Sequence, residues 1–190
     1  MENEELHQKY SLGRHWDRHP TMYAERFASF LKSVNVRGRV LDVGCGSGRD
    51  VNVFVQNGFC AVGIDYDVRE VRRARENFPC IDVHLGNAES LDFPDASIDA
   101  VFMINVVHYT NEKKSLSELL RVLKKRGYAC IHFNLQIVDK DGTIDYHHDE
   151  GSILRLLADC SVVRKEVFMR VDEEPVEHTH TILELLLQKE

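Results

Sequence analysis

Apolar positions along this chain keep two rhythms in turn. Tyr23, Phe27, Phe30, Leu31 and Val34 recur at helical spacing, and Pro20 suits the first turn of that helix. Residues 39–43 form a short apolar run, the mark of a buried strand, which leads directly into a glycine-rich turn. Val51, Phe54 and Val55 then mark a helix closed by Asn57-Gly58. A second strand is predicted over 60–65, and Asp67-Val68-Arg69-Glu70 is a capping-box pattern for a helix running to Asn77. Strands follow over 81–85 and 98–104, with the turn-rich Asp92-Phe93-Pro94-Asp95 between them. Leu116, Leu119, Leu120 and Leu123 make an apolar helical stripe, 128–133 a fifth strand, and Ile153, Leu154, Leu156 and Leu157 a short helix beyond a loop.

Strands that alternate with helices imply a parallel sheet covered on both faces, because parallel neighbours need crossover connections. The last part of the chain breaks the alternation. Residues 162–171 and 179–187 read as strands joined by Asp172-Glu173-Glu174-Pro175, too short for a crossover helix, so the two run antiparallel. The expected fold is α/β: a mostly parallel, seven-stranded sheet with a C-terminal antiparallel β-hairpin and helices on both faces. A length of 190 residues suits a single domain, with 1–38 as an N-terminal helical segment or lid and 39–190 carrying the sheet.

Composition narrows the function classes. A formal net charge of −7 opposes a nucleic-acid partner, whose phosphates demand an excess of Lys and Arg. Two basic clusters, one around Arg69, Arg72, Arg73 and Arg75 and one at Lys124-Lys125-Arg126, are flanked by acids and read as solvated helix surface. No run of eighteen apolar residues occurs and the first residues are acids and amides, so neither membrane spanning nor export is expected. The five cysteines are odd in number and never spaced as Cys-x-x-Cys, which argues against a disulfide framework or zinc ribbon and fits a reducing cytoplasm.

Candidate chemistry concentrates at Leu41-Asp42-Val43-Gly44-Cys45-Gly46-Ser47-Gly48-Arg49. Glycines at alternate positions let the chain turn sharply and let a ligand approach the backbone, and the helix that follows offers free N–H groups to polar ligand atoms. Asp65 ends the second strand about twenty residues further on, where such sheets place an acid on ribose hydroxyls. Loop and acid together indicate an adenosine ligand.

With these residues in place, the chain resembles the class I S-adenosylmethionine-dependent methyltransferases over nearly its whole length. The segment from Val40 to Gly48 is similar to that family's first motif, Gly63-Ile64-Asp65-Tyr66-Asp67 to its second, the run from Gly86 to Pro94 to its third, and Ser97-Ile98-Asp99-Ala100-Val101 to its fourth. The resemblance implies a Rossmann-like sheet closed by the terminal hairpin, and S-adenosyl-L-methionine as cofactor with S-adenosyl-L-homocysteine as product. It places Gly44, Cys45 and Gly46 against the methionine portion, with Asp42 and Gly48 also binding the cofactor, Asp65 on the ribose and Tyr66 near the adenine. Ala88 would offer its backbone N–H to the ring. Asn87 stands where the family usually has Asp, so its bond to the adenine amino group would lack charge assistance.

Several polar residues are expected beyond the carboxyl ends of the strands, where open α/β sheets bind ligands: Asn105, His108, Tyr109, Asn134, His178 and His180. Asn105 is assigned to the cofactor, and His108, His178 and His180 are the candidate proton acceptors or anchors for a small-molecule methyl acceptor. The segment Ile104-Asn105-Val106-Val107-His108 does not resemble the Asn/Asp-Pro-Pro-Tyr element of methyltransferases acting on nucleobase or glutamine amino groups. No insertion is long enough for a large cap, so 1–38 and the loop 135–150 would roof the pocket. That economy resembles the methyltransferase type 11 group and the thiopurine and tellurite-resistance enzymes. His147-His148-Asp149-Glu150, His15 with His19, and His178-Thr179-His180 have ligand-like spacing, but none completes a four-ligand signature, and no metal site is expected. Two other functions compete. One is a cofactor-binding relative without turnover, which should have an eroded loop. The other is a nicotinamide-dependent oxidoreductase, for which Tyr109-Thr110-Asn111-Glu112-Lys113 is wrongly placed and the glycine spacing is wrong.

Overall fold

The computed structural model describes residues 5, 8, 9, 21–173 and 176–190; Pro20, His15 and His19 lie outside them. Thr21 caps helix α1 (Met22–Ser33), its hydroxyl accepting the Ala24 backbone N–H. Strands β1 (Arg39–Val43), β2 (Cys60–Asp65), β3 (Asp82–Leu85), β4 (Ile98–Met103) and β5 (Leu123–Asp139) follow, interleaved with α2 (Arg49–Gln56), α3 (Val68–Asn77) and α4 (Glu112–Val122). A short β6 (Ile144–His147), α5 (Glu150–Leu156) and the hairpin β7 (Cys160–Asp172) and β8 (His178–Lys189) complete the chain.

The strands stand in the order β3-β2-β1-β4-β5-β8-β7, with β6 paired to β5 outside that path. Strands β1 to β5 are mutually parallel, and β8 runs antiparallel to both β5 and β7. The order reverses between β1 and β4, and a crevice opens at that switch point beyond the carboxyl ends of the strands.

Alternation along the strands builds two apolar layers. Val40, Ala100 and Phe102 face α1, α2 and α3 and pack with Phe27, Leu31, Phe54 and Ala74. Leu41, Val43, Val101 and Met103 face the other way, against Leu116 and Leu119 of α4 and Ile153 of α5. The rings of Phe27 and Phe102 stack 6.0 Å apart, so α1 belongs to the core.

Two features depart from expectation. Strand β5 is 17 residues long and begins at Leu123, which pairs with Ile98 of β4. Lys124, Lys125 and Arg126 therefore stand on a strand, not on a helix surface, and Lys124 reaches Asp99 at 2.7 Å. Beyond Phe133 the strand continues through Asn134, Gln136 and Asp139, polar residues that hide it from a reading of apolar runs. Most of the supposed roof loop is thus the β5–β6 hairpin, an eighth strand added to the seven expected. Among the described residues, no helix is long and apolar enough to cross a membrane, and all five cysteines are unpaired.

Candidate active site

The chain leaves β1 through the glycine loop, which is pinned to β2: the N–H groups of Gly44 and Cys45 both donate to the Ile64 carbonyl, at 2.8 and 2.9 Å. Gly44 has φ +73°, and a Cβ there would stand 2.2 Å from Val106 Cγ2, so the loop lies directly against the segment after β4. Gly46 has φ +50° and faces open space, the nearest atom to an added Cβ being Glu70 Oε2 at 3.9 Å. A cavity of about 540 Å³ occupies that space, between the carboxyl ends of β1, β2 and β4.

Carboxylates gather at one pole of the cavity. Asp65 Oδ2 accepts the Gly46 N–H and its Oδ1 accepts the Asp67 N–H, both at 2.9 Å, so this side chain joins the first loop to the turn after β2. Asp67 caps α3 by accepting the Arg69 N–H at 2.8 Å, but Glu70 does not complete the capping box, because the Asp67 N–H already belongs to Asp65. Asp42 is buried below the loop, and burial, reinforced by the carboxylates of Asp50 and Asp65, pushes its carboxyl well above the ordinary carboxylate range. Its Oδ2 and the hydroxyl of Ser47 are buried without a hydrogen-bond partner among the described residues. Asp50, in the first turn of α2, holds the N-cap of α1 by accepting from the Thr21 N–H and hydroxyl, at 2.7 and 3.0 Å.

The opposite pole is built from β4, the turn after it and the hairpin. Asn105 adopts φ +60°, an unusual conformation for a residue with a side chain, and accepts from Arg170 Nη1 at 3.4 Å. His108 lies in a single 3-10 turn (Val107–Tyr109), buried, with its ring 3.9 Å from that of Tyr109. Arg170 Nη2 donates to Asp172 Oδ2 at 2.9 Å. His180 is buried between Asn134 Oδ1, 3.0 Å from its Nδ1, and Asp172 Oδ2, 3.3 Å from its Nε2.

Residues 41–131 match the model of a methyltransferase domain. A probable S-adenosylmethionine-dependent methyltransferase from Mycolicibacterium smegmatis is 33% identical over 93 residues, 48% of this chain and 36% of that protein. The chain spans between 34% and 40% of the length of this and two further curated relatives. A phosphatidylethanolamine N-methyltransferase from Cereibacter sphaeroides is 33% identical over 148 residues, covering 66% of this chain and 71% of that enzyme. The chain belongs to the class I S-adenosylmethionine-dependent methyltransferases. Its fold is shared by a solved protein of Pyrococcus horikoshii OT3 with a TM-score of 0.66 and 21% identity, over 95% of this chain and 98% of that one.

The cofactor of a methyltransferase of this class is S-adenosylmethionine, and the cavity fits it. The unpartnered buried oxygens of Asp42 and Ser47 and the carboxylates beside them suit a ligand carrying a sulfonium and an ammonium, while Gly46 leaves room for it against the backbone. Asp42, Gly44, Cys45, Gly46, Asp65, Tyr66, Asn87, Ala88 and Asn105 all border this one cavity. Gly48 does not: a Cβ there would meet Ile81 Cδ1 at 2.5 Å and Ala74 Cβ at 2.9 Å, so it is a packing glycine under α3. The Asn87 Oδ1 accepts the Glu89 N–H at 2.8 Å, giving the side chain a local turn to hold.

Of the three histidines, His108 and His180 border the cavity and His178 stands off its wall, its Nδ1 turned to the Val176 carbonyl at 2.6 Å. Residues 135–150 contribute nothing to the wall. His147-His148-Asp149-Glu150 does not converge, since His148 meets Glu112 at 2.9 Å and Asp149 caps α5. Arg170 and Asp172 escaped the sequence reading. Their signal was the spacing of two along β7, which becomes legible only once the hairpin register sets Arg170 opposite His180 and Asp172 opposite His178.

Proposed function

We propose that this methyltransferase transfers the cofactor methyl group to a small-molecule acceptor seated between Asn105, His108, Tyr109, Arg170 and His180. The observation that carries the reading is one continuous cavity with a carboxylate-rich pole and a separate histidine-bearing pole, of a volume within the range of about 300–1,000 Å³ usual for small-ligand sites. The sulfonium supplies an electrophilic methyl group, so the protein's main task is alignment. Asp42 and the glycine loop hold the methionine end, Asp65 the ribose, and Tyr66, Asn87 and Ala88 the adenine. His108 and His180 anchor the acceptor or take its proton, and loss of such a base costs about a hundredfold in rate. A relative named for phosphatidylethanolamine supports an amine among the acceptors worth testing. The net charge of −7 supports an acceptor other than nucleic acid, and the unpaired cysteines support a reducing cytoplasm.

Calorimetry with S-adenosylmethionine, S-adenosylhomocysteine and NADH tests the cofactor, and turnover of a panel of thiols, amines, phenols and carboxylic acids to S-adenosylhomocysteine tests the reaction. Binding of both sulfur ligands and turnover of one acceptor is the expected result. A response to NADH alone would sink it, and cofactor binding without turnover of any acceptor would favour a binding protein.

A further inference from the structure

The hairpin brings three metal-ligating side chains together at its open end. His178 and His180 are two residues apart on β8 and so share a face of the strand, and Asp172 lies opposite His178 on β7. Asp172 Oδ2 is 3.3 Å from His180 Nε2 and 3.9 Å from His178 Nε2, and one ligand atom from each of the three falls within 4.8 Å of the others. Each imidazole is oriented from behind. His178 Nδ1 donates to the Val176 carbonyl at 2.6 Å and His180 Nδ1 to Asn134 Oδ1 at 3.0 Å. The Val176 carbonyl can only accept, so the neutral His178 ring carries its proton on Nδ1 and has its lone pair on Nε2, while His180 presents Nε2 on the side facing Asp172.

Two imidazole nitrogens and a carboxylate turned toward one point form a set that a cation can join. Arg170 Nη2 donates to the same Asp172 Oδ2 at 2.9 Å from one side. Two imidazoles and one carboxylate, with outer partners fixing the tautomers, form a donor set that suits divalent transition metals and leaves coordination positions open. Around such an ion, with bonds of about 2.0–2.2 Å, ligand atoms stand about 3.0–3.6 Å apart. The Asp172–His180 separation already meets this, and His178 needs a small inward turn.

We propose that Asp172, His178 and His180 bind one divalent transition-metal ion beside the acceptor pole of the cavity. His180 is on the cavity wall, so the open positions of the ion face water or a heteroatom of the acceptor. That second use rests on the methyl-transfer reading; binding of the ion does not.

The test is titration of the chelator-treated full chain with Co²⁺ alone, followed by visible absorption and calorimetry, with S-adenosylhomocysteine titrated into a separate portion of the same sample. One saturable Co²⁺ site is expected. His180→Ala and Asp172→Asn should each weaken it by at least the roughly tenfold that loss of even an outer partner costs, with circular dichroism certifying that both variants fold; the near-isosteric Asp172→Asn keeps the test open if the alanine variant does not. A folded wild type that takes up S-adenosylhomocysteine but shows no saturable Co²⁺ site overturns the metal proposal. So does Co²⁺ affinity that survives unchanged in the folded variants. Co²⁺ binding without any response to S-adenosylhomocysteine supports the metal site and removes the methyl-transfer reading instead.

Discussion

The backbone N–H of Gly46 donates to Asp65 Oδ2 at 2.9 Å, so the residue assigned to the ribose also fastens the glycine loop. Its other oxygen holds the Asp67 N–H. A single substitution therefore removes both a ligand contact and the tie between two loops. Asp65→Ala is expected to weaken S-adenosylhomocysteine binding at least about tenfold, since charge-assisted hydrogen bonds are worth ~1.5–3 kcal/mol each. It should also lower the melting temperature of the ligand-free protein. Calorimetry and thermal denaturation of one preparation read both effects, and a folded variant with wild-type affinity would take Asp65 off the ribose.

Asp42 sets stability against binding. Its carboxyl is buried with an unpartnered oxygen and beside like charges, which makes its ionised form costly in the empty protein. Asp42→Asn removes that cost with almost no change of shape and should raise the melting temperature. It should also weaken binding of the cationic cofactor by about tenfold or more, because the charge-assisted partner is gone. In the wild type, affinity should rise with pH as the elevated carboxyl ionises, and in Asp42→Asn this part of the rise should disappear. Equal stability and equal affinity in the two proteins would show that Asp42 does not face the cofactor.

What the chain reveals before folding follows from distance along it. The glycine loop, Asp65 and the strand and helix alternation depend on neighbours a few residues apart, and their spacing is visible directly. The pairing of Asp172 with His178 and His180 depends on a hairpin register, and that of Asn134 with His180 spans two strands distant in sequence. His178 shares its strand face with His180 yet stands off the cavity, because β8 begins beyond the wall and only His180, two residues further on, reaches it. The long β5 is hidden because Asn134, Gln136 and Asp139 interrupt its apolar run, while its pairing with β8 depends on a register that no local pattern announces.

Asn87 offers a gain of affinity. Its Oδ1 is engaged with the Glu89 N–H, and its Nδ2 is a donor where the adenine amino group, also a donor, would approach. Asn87→Asp keeps the acceptor that forms the turn and turns the competing donor into a second, charged acceptor. Cofactor binding should tighten by a few-fold, with the melting temperature of the empty protein little changed. Weaker binding in Asn87→Asp, measured by calorimetry, would mean that the adenine meets this loop through the backbone alone.

His180 should write itself into the acid limb of stability. Burial outweighs the attraction of Asp172 and pushes the ring from its ordinary value of about 6.5 down to about 4. The unfolded chain therefore takes up a proton as pH falls through about 6.5, while the folded protein refuses it until about 4. Across that window the unfolded state binds more protons, so the stability present above it is lost progressively as pH falls, and below it this group adds no further loss. His132 is also buried and shifted down, and acts in the same direction, so the wild-type curve alone does not isolate His180. His180→Gln does. In chelator-containing buffer, its melting temperature should fall less steeply than that of the wild type between about pH 6.5 and 4. The two curves should run parallel above and below. Parallel curves throughout would mean that His180 titrates alike in the folded and unfolded chains, which its burial between Asn134 and Asp172 does not allow.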